Sequence, residues 1–281
     1  MRGPLVCLTS DIAKSLIGGE REVSLDLGIS EDRVKVEDDQ VTFPSGDSMD
    51  VSMLNKVSRR DNVVFVLLDS HPVPVEVRNR HYMKLVPTGT APVLEIDGVR
   101  MHRTKNTTPE KDADSKVAAL NISGGRLLEI GTGLGYTTKA AARKELTCVV
   151  SLELDPNVLQ IARINPWSQG LFEDPLINII LADSCRLVLG LPKESFDYIL
   201  HDPPTLARAG DLYSEVFYGQ LHSVLRTGGR LFHYTGLPGA TSRGLNVAAA
   251  VAGRLRRVGF SNVRIDHRNR GVLCEKDSSF P

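Results

Sequence analysis

Arg126-Leu-Leu-Glu-Ile-Gly-Thr-Gly-Leu-Gly-Tyr136 decides how this chain is read. Leu127, Leu128 and Ile130 make an apolar run suited to a strand buried on both faces of a parallel sheet. Gly131, Gly133 and Gly135 follow at alternate positions, and a helix is expected from Thr137 to Lys144. Glycines between strand and helix let the backbone turn sharply and let a ligand approach with no Cβ in the way. The spacing is G-x-G-x-G, distinct from the G-x-G-x-x-G of nicotinamide-binding domains. Glu129 stands two residues before the first glycine.

Moving outward, Cys148-Val-Val-Ser-Leu-Glu-Leu-Asp155 reads as a second buried strand ending in acid. Its Glu153 lies 18 residues beyond Gly135. An acid closing the second strand of a βαβ unit is placed to accept hydrogen bonds from a ribose diol. A third strand, Ile177 to Ala182, runs into Asp183-Ser184, and a fourth, Phe196 to His201, runs into Asp202-Pro203-Pro204-Thr205. Any one such acid is accounted for as a turn or helix cap. Glu129, Glu153, Asp183 and Asp202, each at a strand end, together point to a ligand, because open α/β sheets bind outside the carboxyl ends of their strands.

Beyond Thr205 the alternation continues. Tyr213 to Leu225 reads as a helix stopped by Arg226-Thr-Gly-Gly229. Arg230 to Thr235 is a strand, Leu245 to Val258 a helix, and Ser261 to Asp266 with Gly271 to Cys274 a closing hairpin. This is the pattern of a doubly wound parallel α/β sheet spanning 121–281. Residues 1–90 differ. A short helix (Asp11 to Leu16) is followed by short strands at Val23–Leu27, Arg33–Val36, Val41–Phe43, Val63–Leu68, Val75–Val77 and Tyr82–Val86. Asp38-Asp39 and Ser45-Gly-Asp47 supply hairpin turns, so a small, mostly antiparallel β domain is expected. Residues 91–120 hold a hairpin about Asp97-Gly98 and a linker helix from Pro109 to Leu120.

No apolar run approaches the ~18 residues that span a bilayer, and Met1-Arg-Gly-Pro-Leu-Val-Cys7 does not read as a secretory signal. No membrane contact is expected. Cys7, Cys148, Cys185 and Cys274 are scattered with no C-x-x-C pair, which speaks against a structural metal and for a reducing cytoplasm. Net charge is zero but unevenly spread. Residues 1–55 carry eleven acids against five bases, whereas 226–270 carry nine arginines and one acid, Asp266. Such a basic segment suits either a phosphate backbone or a solvated helix face.

The acid followed by alternating glycines resembles motif I, (D/E)-x-G-x-G-x-G, of the class I S-adenosylmethionine (SAM) dependent methyltransferases, and the likeness covers about residues 109 to 275. Over the whole chain the sequence resembles a little-characterised group of predicted archaeal methyltransferases, through Ser24-Leu-Asp-Leu-Gly28, Met101-His-Arg103 and His201-Asp-Pro-Pro-Thr205. The resemblance implies a mostly parallel seven-stranded Rossmann-like sheet whose last strand enters antiparallel. It implies SAM as cofactor and S-adenosyl-L-homocysteine as product. In the family, the acid at Glu129 holds the methionine end of the cofactor, Glu153 the ribose and Asp183 the adenine amine. The implied cofactor-binding set is Glu129, Gly131, Thr132, Gly133, Gly135, Tyr136, Glu153, Leu154, Asp183, Ser184 and Asp202. Asp202, Pro203 and Thr205 are the implied catalytic positions, by likeness to the (N/D/S)-P-P-(Y/F/W) turn of amino-methyltransferases. Thr205 stands where that turn has an aromatic, so it offers no ring to stack on a base. His201, Tyr136 and Tyr213 are candidates to border the methyl group, with His201 alternatively pointing into the core.

The acceptor is not legible, with RNA or protein favoured over a small molecule. Two other classes stay open. Spermidine synthases follow the same sheet with aminopropyl transfer from decarboxylated SAM, and they use an Asp near the fourth strand. A non-catalytic scaffold binding RNA or protein is the third.

Overall fold

The computed structural model describes residues 5–206, 208–236, 241–242 and 245–277. It divides into two compact units. The first comprises Met1–Pro109 and Asn157–Gln169, and the second Glu110–Pro156 and Gly170–Pro281. The expected hairpin about Asp97-Gly98 thus belongs with the first unit, and most of the expected linker helix with the second.

The first unit is built from short antiparallel sheets. In one, Glu76–Arg78, Tyr82–Val86, Val93–Ile96 and Val99–Arg100 pair in sequence order. Asp38 with Asp39 (φ 46° and 63°) and Asp97 with Gly98 (φ 49° and 78°) adopt paired left-handed conformations, the geometry of two-residue hairpin turns. The expected strand Val23–Leu27 is cut short, since only Glu22–Val23 pairs with Asp32–Arg33. The reason is Asp26, whose Oδ1 accepts from Ser24 Oγ (2.8 Å), Ile29 N (3.0 Å) and Ser30 N (2.9 Å). That local capping competes with the ladder. A helix over Val51–Ser58, capped by Asp50, was not expected, and it buries Leu54 and Val57 with Leu8, Leu16, Phe43, Met49 and Phe65.

The second unit carries a seven-stranded sheet. Its strands are β1 (Arg126–Ile130), β2 (Cys148–Glu153), β3 (Ile177–Leu181), β4 (Phe196–His201), β5 (Leu225–Tyr234), β6 (Ser261–Asp266) and β7 (Gly271–Glu275). Their spatial order is β3-β2-β1-β4-β5-β7-β6. β1 to β5 are mutually parallel, and β7 enters antiparallel between β5 and β6, as the resemblance implied. The helices are α1 (Pro109–Ala119), α2 (Tyr136–Ala142), α3 (Pro156–Ile164, which passes into the first unit), α4 (Ser184–Leu189), α5 (Glu215–Val224) and α6 (Val247–Arg257). Phe196, Ile199, Phe217, Leu221, Leu231, Val251 and Leu255 pack into one core between sheet and helices.

The expected glycine stop after the fifth helix takes another form. α5 ends at Val224, and Leu225 is already extended (φ −76°, ψ 136°) and paired with Phe196. Gly228 (φ 80°) then lies within the strand, where the register with β4 shifts. Among the nine arginines, Arg243 lies outside the described residues.

Candidate functional site

Parallel pairing places the ends of β1 to β4 at one edge, with Ile130 opposite Leu152 and His201, and Glu153 opposite Leu181. The glycine turn is stitched across these ends. Gly131 N and Thr132 N both donate to Leu152 O (2.9 and 3.1 Å), and Gly133 N donates to Glu153 Oε2 (3.0 Å). Glu153 Oε1 accepts from Leu154 N (2.9 Å) and Asp155 N (3.1 Å). Burial raises the Glu153 pKa, and these backbone donors partly offset it. On the other side, Asp202 N donates to Ile130 O (3.0 Å). Gly131 has φ +94°, and a Cβ there would sit 2.6 Å from Asp202 O. Only glycine tolerates both conditions.

Several predicted residues face outward at this edge. Gly133 (φ +57°) has no heavy atom within 4 Å of where a Cβ would stand. Leu154, beside Glu153, is 70% exposed, an apolar side chain without a cover. Asp183 is exposed and caps α4 through Cys185 N (2.9 Å), with Arg186 Nε 3.7 Å away. An open cradle at Gly133, a bare apolar face at Leu154 and carboxylates at 153 and 183 fit a nucleoside cofactor. Other members of the predicted set turn inward. Ser184 and Tyr136 are buried, and Thr132 is buried with Oγ1 2.6 Å from Ser151 Oγ. Gly135 (φ +76°) caps α2 with its α-carbon against the Leu171 side chain.

Glu129 occupies a different place from the one the resemblance implied. It is fully buried, and its carboxylate accepts hydrogen bonds from the hydroxyls of Thr137, Thr138 and Ser151. It therefore ties β1, β2 and α2 together from inside. Burial pushes its pKa up to about 7, against the opposing pull of those hydroxyls. In this arrangement it is a strut under the glycine turn rather than a hand extended to an ammonium group.

Asp202 has a partner that the sequence did not announce. Lys116 Nζ lies 2.7 Å from Asp202 Oδ2, 3.2 Å from Asp112 Oδ2 and 4.0 Å from the centre of the Tyr234 ring. Lys116 and Asp112 are buried, while Asp202 keeps 21% of its side chain exposed. Burial opposes the lysine charge, yet Asp202 and Asp112 outweigh it and hold the ammonium above its ordinary range. An Asp and a Lys four apart on a helix read in sequence as a solvated pair, and nothing local to α1 marks them otherwise.

The turn after Asp202 is braced from below. Pro203 is buried, and Tyr213 Oη donates to Pro204 O (3.1 Å). Thr205 is exposed, and its carbonyl accepts from Arg208 N (2.8 Å). His201 points into the core, with Nε2 2.9 Å from Leu212 O and its ring 4.2 Å from that of His233. Burial holds both rings neutral, with the His201 pKa lowered to about 4. Tyr213 is likewise buried against these rings. His201 is thus a core residue, and Tyr213 supports the turn.

A parallel sheet with one reversed strand, and a glycine turn beside the Glu153 carboxylate at the end of β2, fit a SAM-type nucleoside. Comparison with known proteins agrees. Residues 128–233 match the family described as "Methyltransferase domain". The chain is 39% identical over 277 residues to the uncharacterized protein MJ1233 of Methanocaldococcus jannaschii, covering 96% of this chain and 95% of that one. It is 28% identical over 149 residues to the polyamine aminopropyltransferase of Aeropyrum pernix, covering 50% of this chain and 48% of that one. A crystal structure of spermidine synthase in complex with the transition state analogue AdoDATO shares the fold (TM-score 0.61, 18% identity, 74% of this chain and 77% of that chain). The chain belongs to the family of the M. jannaschii protein, and its second unit has the class I SAM-dependent methyltransferase fold.

Proposed function

We propose that this chain is a methyltransferase that binds SAM at the carboxyl ends of β1 to β4 and methylates a macromolecular acceptor, RNA or protein, leaving S-adenosyl-L-homocysteine. The sulfonium of SAM supplies an already activated methyl group. What the chain adds is binding, orientation and exclusion of water. In this reading Glu153 and Asp183 hold the ribose and adenine, Leu154 covers the ring, and the Gly131–Gly135 turn accommodates the methionine moiety. Asp202 receives the acceptor's N–H or O–H.

The observation that carries methyl transfer over aminopropyl transfer is the ammonium of Lys116 at 2.7 Å from Asp202 Oδ2. A polyamine acceptor is a cation that needs carboxylates free to hold it. Here the carboxylate in question is already bonded to a buried cation, which suits a neutral acceptor group. The second reading, aminopropyl transfer from decarboxylated SAM, draws support from the partial match to the A. pernix aminopropyltransferase.

Calorimetry with SAM and decarboxylated SAM separates the two, paired with assays of labelled methyl incorporation into RNA and protein and of aminopropyl transfer to putrescine and spermidine. We expect SAM to bind at least as tightly and its methyl to enter the macromolecular fraction. A clear preference for decarboxylated SAM with a polyamine product would replace this reading by the second.

A further inference from the structure

β3 closes the seven-stranded sheet on one side and pairs only with β2. Val149 N donates to Leu176 O at the start of that ladder, and Ala182 N donates to Glu153 O at its end (both 2.8 Å). Backbone groups alternate in direction along a strand, so the even-numbered residues of β3 turn to β2 and the odd-numbered ones turn outward. Ile177 N is taken by Asp174 O (3.0 Å). Left on the outer side are Ile177 O, both backbone groups of Ile179 and of Leu181, and Asp183 N. None of these groups is bonded within the described residues.

Such a row is a template for another strand, and sheets ordinarily guard it with charge, proline, a bulge or shortness. Other edge strands of the described residues are guarded in these ways. β6 holds Arg264 and Asp266 and a register shift between Ser261 and Arg264. In the first unit, His71–Pro74 carries Pro72 and Pro74, and Glu76–Arg78 is charged at both ends. Cys7–Leu8 and Val99–Arg100 are two residues long. β3 is Ile177-Asn-Ile-Ile-Leu181, with no charge, no proline and no register shift. Ile180 is 37% exposed and Leu181 52% exposed, and they point to opposite faces of the strand.

The free groups are self-complementary. Turned antiparallel about a two-fold axis at Ile180, two copies of β3 set Ile179 of one opposite Leu181 of the other, and each such pair exchanges both backbone bonds. Asp183 N of each copy then meets Ile177 O of the other. Every free group is used, and Ile177 N, already engaged, is not required. Ile180 meets its own counterpart across the axis with Cβ atoms ~4.5–5.5 Å apart. The charges favour the same direction of pairing. Arg186, with a side chain 90% exposed, follows β3, and Glu173 and Asp174 precede it, so each copy brings its acids towards the other's arginine.

We propose that the edge of β3 docks a second copy of this chain, forming an isologous dimer through one continuous sheet with seven strands from each copy. The pairing is independent of which group the protein transfers. It also bonds the backbone of Asp183, the residue assigned to adenine, across the axis.

Sedimentation velocity of the full chain over roughly 1–500 μM, a range that brackets the dissociation constant of a small interface, tests the dimer together with disulfide trapping. Wild type should pass from monomer to dimer within that range. Ile180→Lys sets two ammonium groups directly opposite each other and should move the midpoint at least roughly tenfold higher, with a cooperative thermal melt showing that the variant is folded. Ile180→Cys should be trapped as a disulfide dimer under mild oxidation, because paired Cβ atoms at this separation come close to disulfide reach. Val216→Cys on α5, at a position 75% exposed, and wild type with its own four cysteines set the background. A wild type that stays monomeric across the series, a dimer equally strong in Ile180→Lys, or Ile180→Cys trapped no faster than Val216→Cys overturns the pairing.

Discussion

At the scale of single residues, the buried carboxylate of Glu129 carries a pH signature. Its pKa is raised to about 7 by burial, so between the ordinary carboxylate range and pH 7 the folded chain holds a proton that the unfolded chain has lost. Stability from this residue is therefore full at acid pH and declines as pH rises towards 7, by roughly 3 kcal/mol in total. His201 and His233 act in the opposite sense, since their lowered pKa values make stability fall as pH drops below the ordinary histidine range. Glu129→Gln keeps the shape and removes the ionisation. The gap in melting temperature between Glu129→Gln and wild type should widen from pH 5 to pH 8 in favour of the variant, measured by thermal melts. A constant gap would show that Glu129 is ionised throughout. At Lys116 the effect is larger. Lys116→Met leaves Asp112 and Asp202 without their shared buried cation and should cost ~3–5 kcal/mol in denaturant unfolding. Asp112→Asn added to Lys116→Met should recover part of that loss, and no recovery would sink the shared-ammonium account. The acid at 129 was legible from its place before the glycines, but the convergence of Thr137, Thr138 and Ser151 upon it was not. The hydroxyls come from α2 and from β2, and only packing brings them together around one carboxylate.

At the scale of elements, β1, β2 and β4 were legible because a strand buried on both faces must be apolar throughout, and these are largely so, while the edge strand β3 is apolar although partly exposed. Their ends were legible because acids and glycines break such runs. What failed was local competition. Asp26 captures the backbone that Val23 and Leu25 would have placed in a strand, and the short helix Val51–Ser58 has too few turns to print a clear period. The three glycines of the turn, alike in sequence, now separate by role. Gly131→Ala would press a Cβ to 2.6 Å from Asp202 O at φ +94°, so it should lower stability by more than about 1 kcal/mol. Gly133→Ala meets open space, so its cost to the fold is the ~1–2 kcal/mol of a left-handed residue. Its methyl group would stand in the cradle, and SAM affinity should fall at least roughly tenfold. Thermal melts and calorimetry on the two variants read the difference, and unchanged SAM affinity in Gly133→Ala would remove the turn from the cofactor site.

At the scale of the whole molecule, composition pointed to boundaries near residues 90 and 120, and the contacts divide the chain differently. Residues 157–169 leave the sheet-bearing unit and join the first, where Trp167 Nε1 donates to Leu27 O (3.0 Å). That recruitment was illegible because Pro156 to Ile164 has the period of any crossover helix, and the bond it serves spans 140 positions of sequence. The chain consequently passes between the units at 109/110, at 156/157 and at 169/170. A unit whose parts come from two separated stretches cannot be excised without cutting the other. A fragment ending at residue 109 would lack the indole that meets Leu27, and one starting at 110 would carry residues 157–169 stripped of their own core. We expect the intact chain to unfold in one calorimetric transition, and the fragment 110–281 to melt at lower temperature and bind SAM more weakly than the full chain, although Glu153, Asp183, Asp202 and the glycine turn are all present in it. Two resolved transitions, or a fragment with full stability and full SAM affinity, would show that the interleaved segment is a passenger and that the two units fold independently.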